Sequence, residues 1–327
     1  MKILYVLPAT TLCGGIKIAF EQAQKLNEAG HNVFIYCTNG DMSTDWFINY
    51  SFKFIDRITT VNTSFDKVIA TFWATVYDIE DLKIKGDKYY LIQGKEPYFY
   101  FTKKEFDRVC ETYKMGYKLI TIAKSLKEWI EEDFKLKSFY VKNAINKEHF
   151  FKDVDNNLRT SGKKIILVEG DSMFCYKNVI FAFETLRHLR NDIEIWYMSM
   201  SPQNIDERYY DKLFNLRDVS QIRTVYSSCD LFIKPALLEG SPLPIMEAMA
   251  CGSVIITNDI PSSREFCINN YNSVLCAKNS RIDYLKKINA LLINADKCKF
   301  LSENALKTAS TFNWSESIVK LEKCLKR

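Results

Sequence analysis

Residues 234–252 read KPALLEGSPLPIMEAMACG, and this segment is the most informative part of the chain. Glu239 falls on a loop after an apolar strand, and we predict Glu247 in the first turn of a helix. Pro244 suits the opening turn because its missing N–H has no helical partner there, and Gly252 suits the left-handed end. Unpaired amides at a helix start favour a phosphate, and carboxylates accept hydrogen bonds from hydroxyls. The stretch therefore predicts a site for a sugar joined to a nucleotide diphosphate.

A strand–helix alternation continues on both sides of this stretch. Short apolar runs are typical of strands buried in a parallel sheet. Between these runs lie segments in which apolar residues recur at the spacing of a helix. The later half predicts strands over 164–168, 193–198, 230–234 and 254–259, with a helix over 178–189. The earlier half predicts strands over 2–7, 31–37, 67–72, 88–93 and 118–122, with helices over 16–29, 103–116 and 125–134.

A polar lapse between residues 150 and 162 separates the two halves and predicts a linker. We therefore expect an α/β protein of two Rossmann-like domains with parallel sheets, residues 1–157 and residues 158–311. Ligands of such sheets bind at the carboxyl ends of the strands, which we expect to face each other across a cleft.

Composition limits the function classes. The net charge of +5 forms no basic stripe, so we expect no nucleic-acid partner. The ten cysteines include no C-x-x-C pair and mostly lie in apolar runs, which is typical of reduced thiols in a cytosol. The three histidines lack metal-ligand spacing, and no apolar run is long enough to span a membrane. We expect a cytoplasmic protein that needs no metal or other cofactor.

The string Glu-Gly-x-x-Leu-Pro-x-x-Glu-Ala-Met-Ala-x-Gly from Glu239 to Gly252 resembles the E-x7-E motif of retaining glycosyltransferases of family 4, which have the GT-B fold. Residues 254–259, 264–265 and 270–275 resemble the segments that follow in that family. The resemblance implies that Glu239 binds donor-sugar hydroxyls and acts in catalysis, and that Glu247 binds the ribose. The donor-binding residues it implies in this stretch also include Gly240, Ser241, Pro242 and Leu243. The alternative for Glu247 alone is a helix with an acidic first turn.

Val168-Glu169-Gly170-Asp171, followed by Lys177, corresponds to the family's valine-glycine-arginine and lysine pair, which holds the donor diphosphate. By that resemblance Gly170 binds the donor, and Lys177 is a catalytic cation. Two positions depart from the family: Asp171 replaces the arginine, and Pro242 replaces a common glycine and removes a backbone N–H. Lys234 or Arg264 are candidates to compensate for the missing arginine. The helix over 312–327 resembles the family's tail, which packs back on the first domain.

Two segments of the first domain are further candidates. Gly14 and Gly15 follow the first strand and let backbone approach a ligand closely. The family resemblance implies that this glycine pair binds the donor, near its phosphate and the acceptor, although a glycine pair can also merely make a turn. The third glycine of a dinucleotide fingerprint is missing, which disfavours NAD. Gln93-Gly-Lys-Glu96-Pro-Tyr98-Phe-Tyr is similar to a segment of bacterial rhamnosyltransferases of rhamnan synthesis. Gln93, Glu96 and Tyr98 are therefore candidates for an acceptor or sugar wall, while simple packing of the aromatics is the alternative.

These features predict a glycosyltransferase that moves a sugar from a nucleotide-diphosphate donor to a saccharide or lipid-linked acceptor in bacterial surface glycan synthesis. The family resemblance implies retention of the anomeric configuration. The alternatives are a non-catalytic sugar-nucleotide-binding or scaffold subunit and a GT-B epimerase. Asp153-Val-Asp155 spells the acidic pair that binds metal in the other glycosyltransferase fold, but it lies in the polar linker. Aromatic and basic residues from Tyr98 to Lys104 predict at most weak contact with the inner membrane face.

Overall fold

The computed structural model describes residues 1–59, 64–189, 191–203 and 205–327. These residues form two compact units. The first comprises Met1–Ala144 and Trp314–Arg327, and the second comprises Ile145–Asn313.

The first unit is built on a parallel sheet. In the described part of the chain its seven strands have the order β3-β2-β1-β4-β5-β6-β7. The interior strand β1 is buried on both faces from Ile3 to Leu7, as expected where helices cover both sides of a parallel sheet. The elements are β1 (Lys2–Leu7), α1 (Gly14–Glu28), β2 (Asn32–Cys37), β3 (Lys53–Ile55), β4 (Ser64–Ala70), α2 (Trp73–Asp81), β5 (Lys85–Ile92), α3 (Lys103–Thr112), β6 (Lys118–Thr121), α4 (Lys124–Phe134) and β7 (Ser138–Tyr140).

The second unit repeats this plan with a sheet of six described strands in the order β10-β9-β8-β11-β12-β13, all parallel. Its core joins strand residues such as Ile233 and Ile256 to Phe183 of a covering helix. The elements are β8 (Lys164–Glu169), α5 (Val179–Leu186), β9 (Ile193–Met198), β10 (Lys212–Phe214), α6 (Val219–Ser228), β11 (Leu231–Lys234), α7 (Leu243–Ala250), β12 (Val254–Asn258), β13 (Val274–Cys276), α8 (Arg281–Leu292) and α9 (Ala295–Ala309).

The last helix, α10 (Trp314–Leu325), belongs to the first unit. It packs beside α1, with Leu321 and Leu325 fully buried. Glu322 pairs with His31 at 2.8 Å, and the Ser317 hydroxyl donates to the carbonyl of Lys142 at 2.6 Å. The first unit is thus formed by two segments that are separate in the sequence.

The predicted α/β class with two parallel sheets is confirmed, and the main differences lie at helix ends. Helix α1 already begins at Gly14 rather than after the glycine pair. Helix α3 ends at Thr112, before residue 116. Helix α4 begins at Lys124 with Ala123 as its N-cap, so Ser125 lies inside the helix and does not cap it. The predicted helix over 178–189 is α-helical only to Leu186 and finishes as a 3-10 turn.

Seven elements of the described chain were not predicted from the sequence, namely β3, α2, β7, β10, α6, α8 and α9. Three of the missed helices carry a recognisable N-cap. Asp218, Ser280 and Asn294 each accept a hydrogen bond from a backbone N–H of the first helical turn. These cap residues were the available signal for helices α6, α8 and α9.

The two compact units divide after Ala144, whereas the polar segment between residues 150 and 162 predicts a boundary after residue 157. The polar segment beyond Ala144 is bonded to α6. The amide of Asp153 donates to Ser227 Oγ at 2.9 Å, and the carboxylate of Asp153 pairs with Arg223 at 3.0 Å. The amide of Asp155 donates to Ser228 Oγ. The polar residues of this segment therefore form hydrogen bonds and an ion pair with α6, and the segment is not a free linker.

Candidate functional site

The candidate site in the second unit is built on α7 and the loop that precedes it. The helix starts at Leu243 with Pro244 as its second residue, and Gly252 beyond its end has a φ of +81°. Both features confirm the predicted helix limits, because proline needs no helical partner at the start and glycine tolerates the left-handed end. Glu247, which we predicted in the first turn, instead lies in the second turn and is 6% exposed.

Glu239 lies on the loop between β11 and α7, between two lysines. Lys177 Nζ is 2.8 Å from Glu239 Oε1, and Lys234 Nζ is 3.6 Å from the same oxygen. Lys234, the last residue of β11, also pairs with Glu169 at the end of β8. Two carboxylates and two ammonium groups thus form one chain of ion pairs at the carboxyl ends of two neighbouring strands.

The ion pairs set the protonation states of this cluster. Burial acts to raise the pKa of Glu239, but the positive charges of Lys177 and Lys234 outweigh it and lower the pKa below its ordinary value. Burial acts to lower the pKa of Lys177, yet the negative charges of Glu239 and Glu169 raise it. Glu239 is therefore an ionised carboxylate and Lys177 a charged ammonium at neutral pH.

Backbone and amide contacts hold Lys177 and Glu239 together. Lys177 ends a 3-10 turn, and Asn178 follows it with a φ of +58°. The side-chain amide of Asn178 donates to the carbonyl of Pro235 at 3.2 Å, and the amide of Leu237 donates to the carbonyl of Tyr176 at 2.7 Å. The loops that carry the two charged groups are thereby fastened to each other.

Asn258 secures the second loop from its other side. Its side-chain amide donates to the carbonyls of Pro235 and Ala236 at 2.5 and 3.0 Å, and its oxygen accepts from the hydroxyl of Tyr284 at 3.0 Å. Neither Asn178 nor Asn258 was among the predicted site residues. The only signal for Asn258 was an amide at the end of a predicted strand.

Gly170 makes the turn that leads from β8 towards Lys177. Its φ of +146° is one that side chains rarely adopt, and an added Cβ would lie 3.1 Å from Val179 Cγ2. Its amide donates to the carbonyl of Met198, and its carbonyl accepts from the hydroxyl of Tyr197. The glycine that the resemblance identified is therefore required by backbone geometry.

Asp171, which stands where the family has arginine, is bonded to the loop after β9. Its Oδ1 accepts from Ser199 Oγ at 2.6 Å and from the amide of Ser201 at 2.9 Å. The carboxylate thus ties two neighbouring loops. The other candidate cation, Arg264, is exposed and pairs with Asp259 at 2.5 Å. Of the two candidates that the sequence suggested, only Lys234 lies against Glu239.

Gly240, Ser241 and Pro242 connect Glu239 to the start of α7, and Leu243 is the first helical residue. Gly240, Pro242 and Leu243 are buried, while Ser241 is partly exposed. Pro242 is the N-cap residue with a φ of −71°, which its ring allows without strain. The departure at Pro242 is therefore compatible with the helix, although it supplies no N–H.

In the first unit, Gln93 and the glycine pair are close neighbours. Gln93 Nε2 donates to the carbonyls of Gly15 and Thr71 at 3.2 and 3.3 Å. An added Cβ on Gly15 would lie 3.2 Å from that nitrogen, so the absence of a side chain permits this approach. Gln93 Oε1 is buried and has no hydrogen-bond partner among the described residues. Gly14 and Gly15 form the first turn of α1 beside this amide.

The structure separates Glu96 from Tyr98. Glu96 is only 3% exposed, and its Oε2 accepts from the amide of Trp73 at 2.9 Å and the hydroxyl of Tyr90 at 2.7 Å. Burial raises the pKa of Glu96 to about 8, although both hydrogen bonds oppose that rise. Tyr98 is 53% exposed and contacts Phe106 edge to face. The two residues therefore do not form one surface, and Glu96 supports the start of α2.

The described residues contain no group of three or more metal-ligating side chains placed to hold an ion. Asp153 pairs with Arg223, and Asp155 Oδ1 accepts from the amide of Asn157. The acidic pair of residues 153–155 thus serves local structure. Within the same ranges, no helix combines the length and apolarity that crossing a membrane requires.

Comparison of folds defines the class: the two parallel-sheet α/β units and their structural neighbours show the GT-B fold. Sucrose-phosphate synthase from Thermosynechococcus elongatus superposes with a TM-score of 0.81 at 12% identity, covering 100% of this chain and 98% of that one. The Anabaena protein HepE in complex with UDP-glucose superposes with a TM-score of 0.81 at 12% identity, covering 100% and 99%.

Comparison of sequences finds similarity to known proteins, including a family match within the second unit. Residues 208–308, which include Glu239 and Glu247, match the family described as glycosyl transferases group 1. An uncharacterised glycosyltransferase of Methanocaldococcus jannaschii is 23% identical over 63% of this chain, a match that spans 58% of that relative. The N,N'-diacetylbacillosaminyl-diphospho-undecaprenol alpha-1,3-N-acetylgalactosaminyltransferase of Campylobacter jejuni is 31% identical over 31% of this chain and 26% of its own length.

Proposed function

We propose that this protein is a glycosyltransferase, which moves a sugar from a nucleotide-diphosphate donor to a saccharide or lipid-linked saccharide acceptor. The observation that carries the proposal is the position of Glu239 between Lys177 and Lys234, inside the segment that matches glycosyl transferases group 1. A carboxylate that can accept hydroxyl hydrogen bonds lies beside a cation that can pair with phosphate. A sugar diphosphate carries both of the matching groups.

Each residue has a defined role in this proposal. Lys177 pairs with the donor diphosphate and stabilises the charge that develops on it as the glycosidic bond breaks. Glu239 accepts hydrogen bonds from the donor sugar, and Glu247 accepts them from the ribose. Gly170 and residues 240–243 bring backbone close to the donor. Gln93 Oε1, which lacks a partner among the described residues, offers an acceptor to a ligand hydroxyl in the first unit.

The reaction exchanges one bond to the anomeric carbon for another. The bond between that carbon and the diphosphate oxygen breaks, and a bond to the acceptor oxygen forms on the same face. The acceptor proton passes to the departing diphosphate, so no protein base is needed. We propose retention of configuration, as the resemblance to family 4 implies, and charge stabilisation by lysine without a metal ion. Full activity in the presence of EDTA and an unchanged anomeric configuration in the product would support this scheme.

The donor and acceptor follow from the relatives only as proposals. The structural neighbour HepE was solved with UDP-glucose, which favours a UDP-linked donor. The Gln93–Tyr98 segment resembles rhamnosyltransferases and favours a thymidine-linked deoxysugar. The name of the Campylobacter jejuni relative describes a diphospho-undecaprenol acceptor, which favours lipid-linked acceptors and a role in surface glycan synthesis.

Calorimetry with UDP-glucose, GDP-mannose and dTDP-rhamnose tests the donor site. We expect one of them to bind in the micromolar range to the wild type and to lose at least tenfold in affinity in Glu247→Ala. Asp259→Asn, which alters an exposed ion pair with Arg264, is the control and should bind as the wild type does. Absence of binding by all three nucleotide-sugars would overturn the proposal.

A non-catalytic sugar-nucleotide-binding subunit is the second candidate. The observation that favours it is Asp171, a carboxylate where the family has a phosphate-binding arginine. Donor binding without transfer or donor hydrolysis, also after addition of undecaprenyl-linked and free saccharides, would support this candidate. Interconversion of one nucleotide-sugar into its epimer would instead support an epimerase.

We also propose a cytoplasmic location with weak membrane contact through the surface around Phe101, which is 92% exposed. Tyr98 and two lysines, Lys103 and Lys104, lie next to it in sequence. Nearby lysines such as Lys118 and Lys127 are paired with carboxylates, which limits attraction to anionic lipid. Co-sedimentation with vesicles of phosphatidylglycerol and phosphatidylethanolamine should be weak and should fall in Phe101→Ser.

A further inference from the structure

Lys234 is a charged residue at the end of an otherwise apolar central strand. Leu231, Phe232 and Ile233 precede it in β11 and are buried, and the side chain of Lys234 is itself only 2% exposed. A buried ammonium carries a large desolvation cost, so an isolated lysine is not expected at this position. Its presence requires carboxylates that the fold keeps in place.

Two carboxylates meet this requirement, and they differ in their surroundings. Glu169 is the last residue of β8, the strand hydrogen-bonded to β11, so the sheet itself places it beside Lys234. Glu239 lies on the irregular loop before α7, and Lys234 Nζ is 3.6 Å from its Oε1. One partner would satisfy a structural lysine. The second contact links the rigid sheet to the loop that carries the proposed sugar-binding carboxylate.

The two lysines beside Glu239 differ in access to solvent. The side chain of Lys177 is 22% exposed, against 2% for Lys234. In the proposed function a diphosphate that enters the site reaches Lys177, and that ammonium exchanges its carboxylate partner for phosphate. Glu239 would then lose its closest cation at the moment when it must hold the donor sugar.

We propose that Lys234 is a positioning residue that keeps Glu239 oriented and charge-compensated while Lys177 engages the donor diphosphate. This inference rests on the proposed function.

The test compares matched ligands that differ only in the sugar. In the proposed function Lys177 contacts the diphosphate and Glu239 contacts the sugar. Affinities are therefore measured for three matched pairs: UDP and UDP-glucose, GDP and GDP-mannose, and dTDP and dTDP-rhamnose. The variant is Lys234→Met with Glu169→Gln, which avoids leaving an unpaired buried carboxylate. We expect the affinity for the nucleoside diphosphate to change by less than threefold, while the gain in affinity from the sugar and the kcat fall by about tenfold or more.

Two further variants separate positioning from general damage. Lys212→Met with Glu194→Gln removes another partly buried lysine–glutamate pair of the same unit, whose charged atoms are 3.4 Å apart, and should leave the sugar-dependent affinity unchanged. In Glu239→Gln, the sugar-dependent affinity is already lost, so adding the Lys234 and Glu169 changes should cause little further loss. Lys234→Gln with Glu169→Gln is used if the methionine variant does not unfold cooperatively.

Each outcome decides a separate question. If the wild type binds none of the nucleotide-sugars, the proposed function fails and this inference fails with it. If the wild type binds one and the Lys234 variants keep both the sugar-dependent affinity and kcat, only the positioning role is overturned. An equal loss of affinity for the diphosphate and its sugar conjugate would also overturn it, because that pattern indicates general damage to the site.

Discussion

Lys177 Nζ lies 2.8 Å from Glu239 Oε1, and this contact joins the loop after β8 to the loop after β11. The residues are far apart in sequence but are carried by neighbouring parallel strands. Because the carboxyl ends of such strands share one edge of the sheet, the ion pair forms where ligands of α/β sheets usually bind. In the proposed function Lys177 pairs with Glu239 while no donor is bound, and a donor phosphate then replaces the carboxylate as the partner of Lys177.

Replacing Lys177 by Met should lower the affinity for a nucleoside diphosphate by about tenfold to a hundredfold, since a charge-assisted hydrogen bond to phosphate is lost. Calorimetry with UDP, GDP and dTDP measures the effect. Lys164→Met is the control, because Lys164 is about half exposed and pairs with Asp230 away from Glu239. Equal affinities in wild type and Lys177→Met would contradict the role of Lys177.

Gly170→Ala should destabilise the second unit by about 1–3 kcal/mol and weaken donor binding, because the backbone conformation excludes a side chain. Its added Cβ would lie 3.1 Å from Val179 Cγ2. Gly162→Ala is a matched control: its φ is +70°, but an added Cβ would meet nothing within 4 Å. Urea unfolding of both variants measures the difference, and a larger loss in Gly162→Ala would refute the steric argument.

Asp171→Ala should lower the unfolding temperature by a few degrees, because Ser199 Oγ and the amide of Ser201 lose their common acceptor. Asp206→Ala is the control: Asp206 also accepts from a nearby backbone amide, that of Arg208, but lies exposed. We further expect Asp171→Arg not to increase donor affinity, since that position is committed to the loop after β9. Tighter donor binding by Asp171→Arg would show that the hydrogen bonds of Asp171 to Ser199 and Ser201 are dispensable.

Glu96 should make stability depend on pH. Its pKa is raised to about 8 in the folded protein, from 4.5 for an unperturbed glutamate, so the folded state retains a proton that the unfolded state loses. The free energy of unfolding should therefore fall as pH rises from about 4.5 to 8 and then level off. In Glu96→Gln, whose amide oxygen can still accept from Trp73 and Tyr90, this component should vanish.

Urea unfolding at several pH values between 5 and 9 measures the Glu96 component as the difference between wild type and variant. Glu132→Gln, on the exposed side of α4, should leave the pH dependence of the wild type intact. A Glu96→Gln protein whose stability keeps the wild-type slope would show that the buried carboxyl does not retain its proton.

Local sequence was sufficient to predict most strands of both sheets and the limits of α7. Pro244 and Gly252 act through their own backbone restrictions, which operate whatever the surroundings. Apolar runs such as residues 2–7 were recognisable because parallel strands are buried on both faces. Gly170 and Lys177 were identified by resemblance, and backbone geometry now gives a physical reason for the glycine.

Which charged groups lie in contact depends on the tertiary structure and cannot be read from local sequence. Glu169, Lys177 and Lys234 approach Glu239 through strand pairing and loop contacts that no local pattern contains. Burial likewise separated Glu96 from Tyr98, although they are two residues apart, because one side chain turns inward and the other outward. Sequence specifies conformations that each residue can adopt by itself, while distances between charges depend on how the sheet brings its strands side by side.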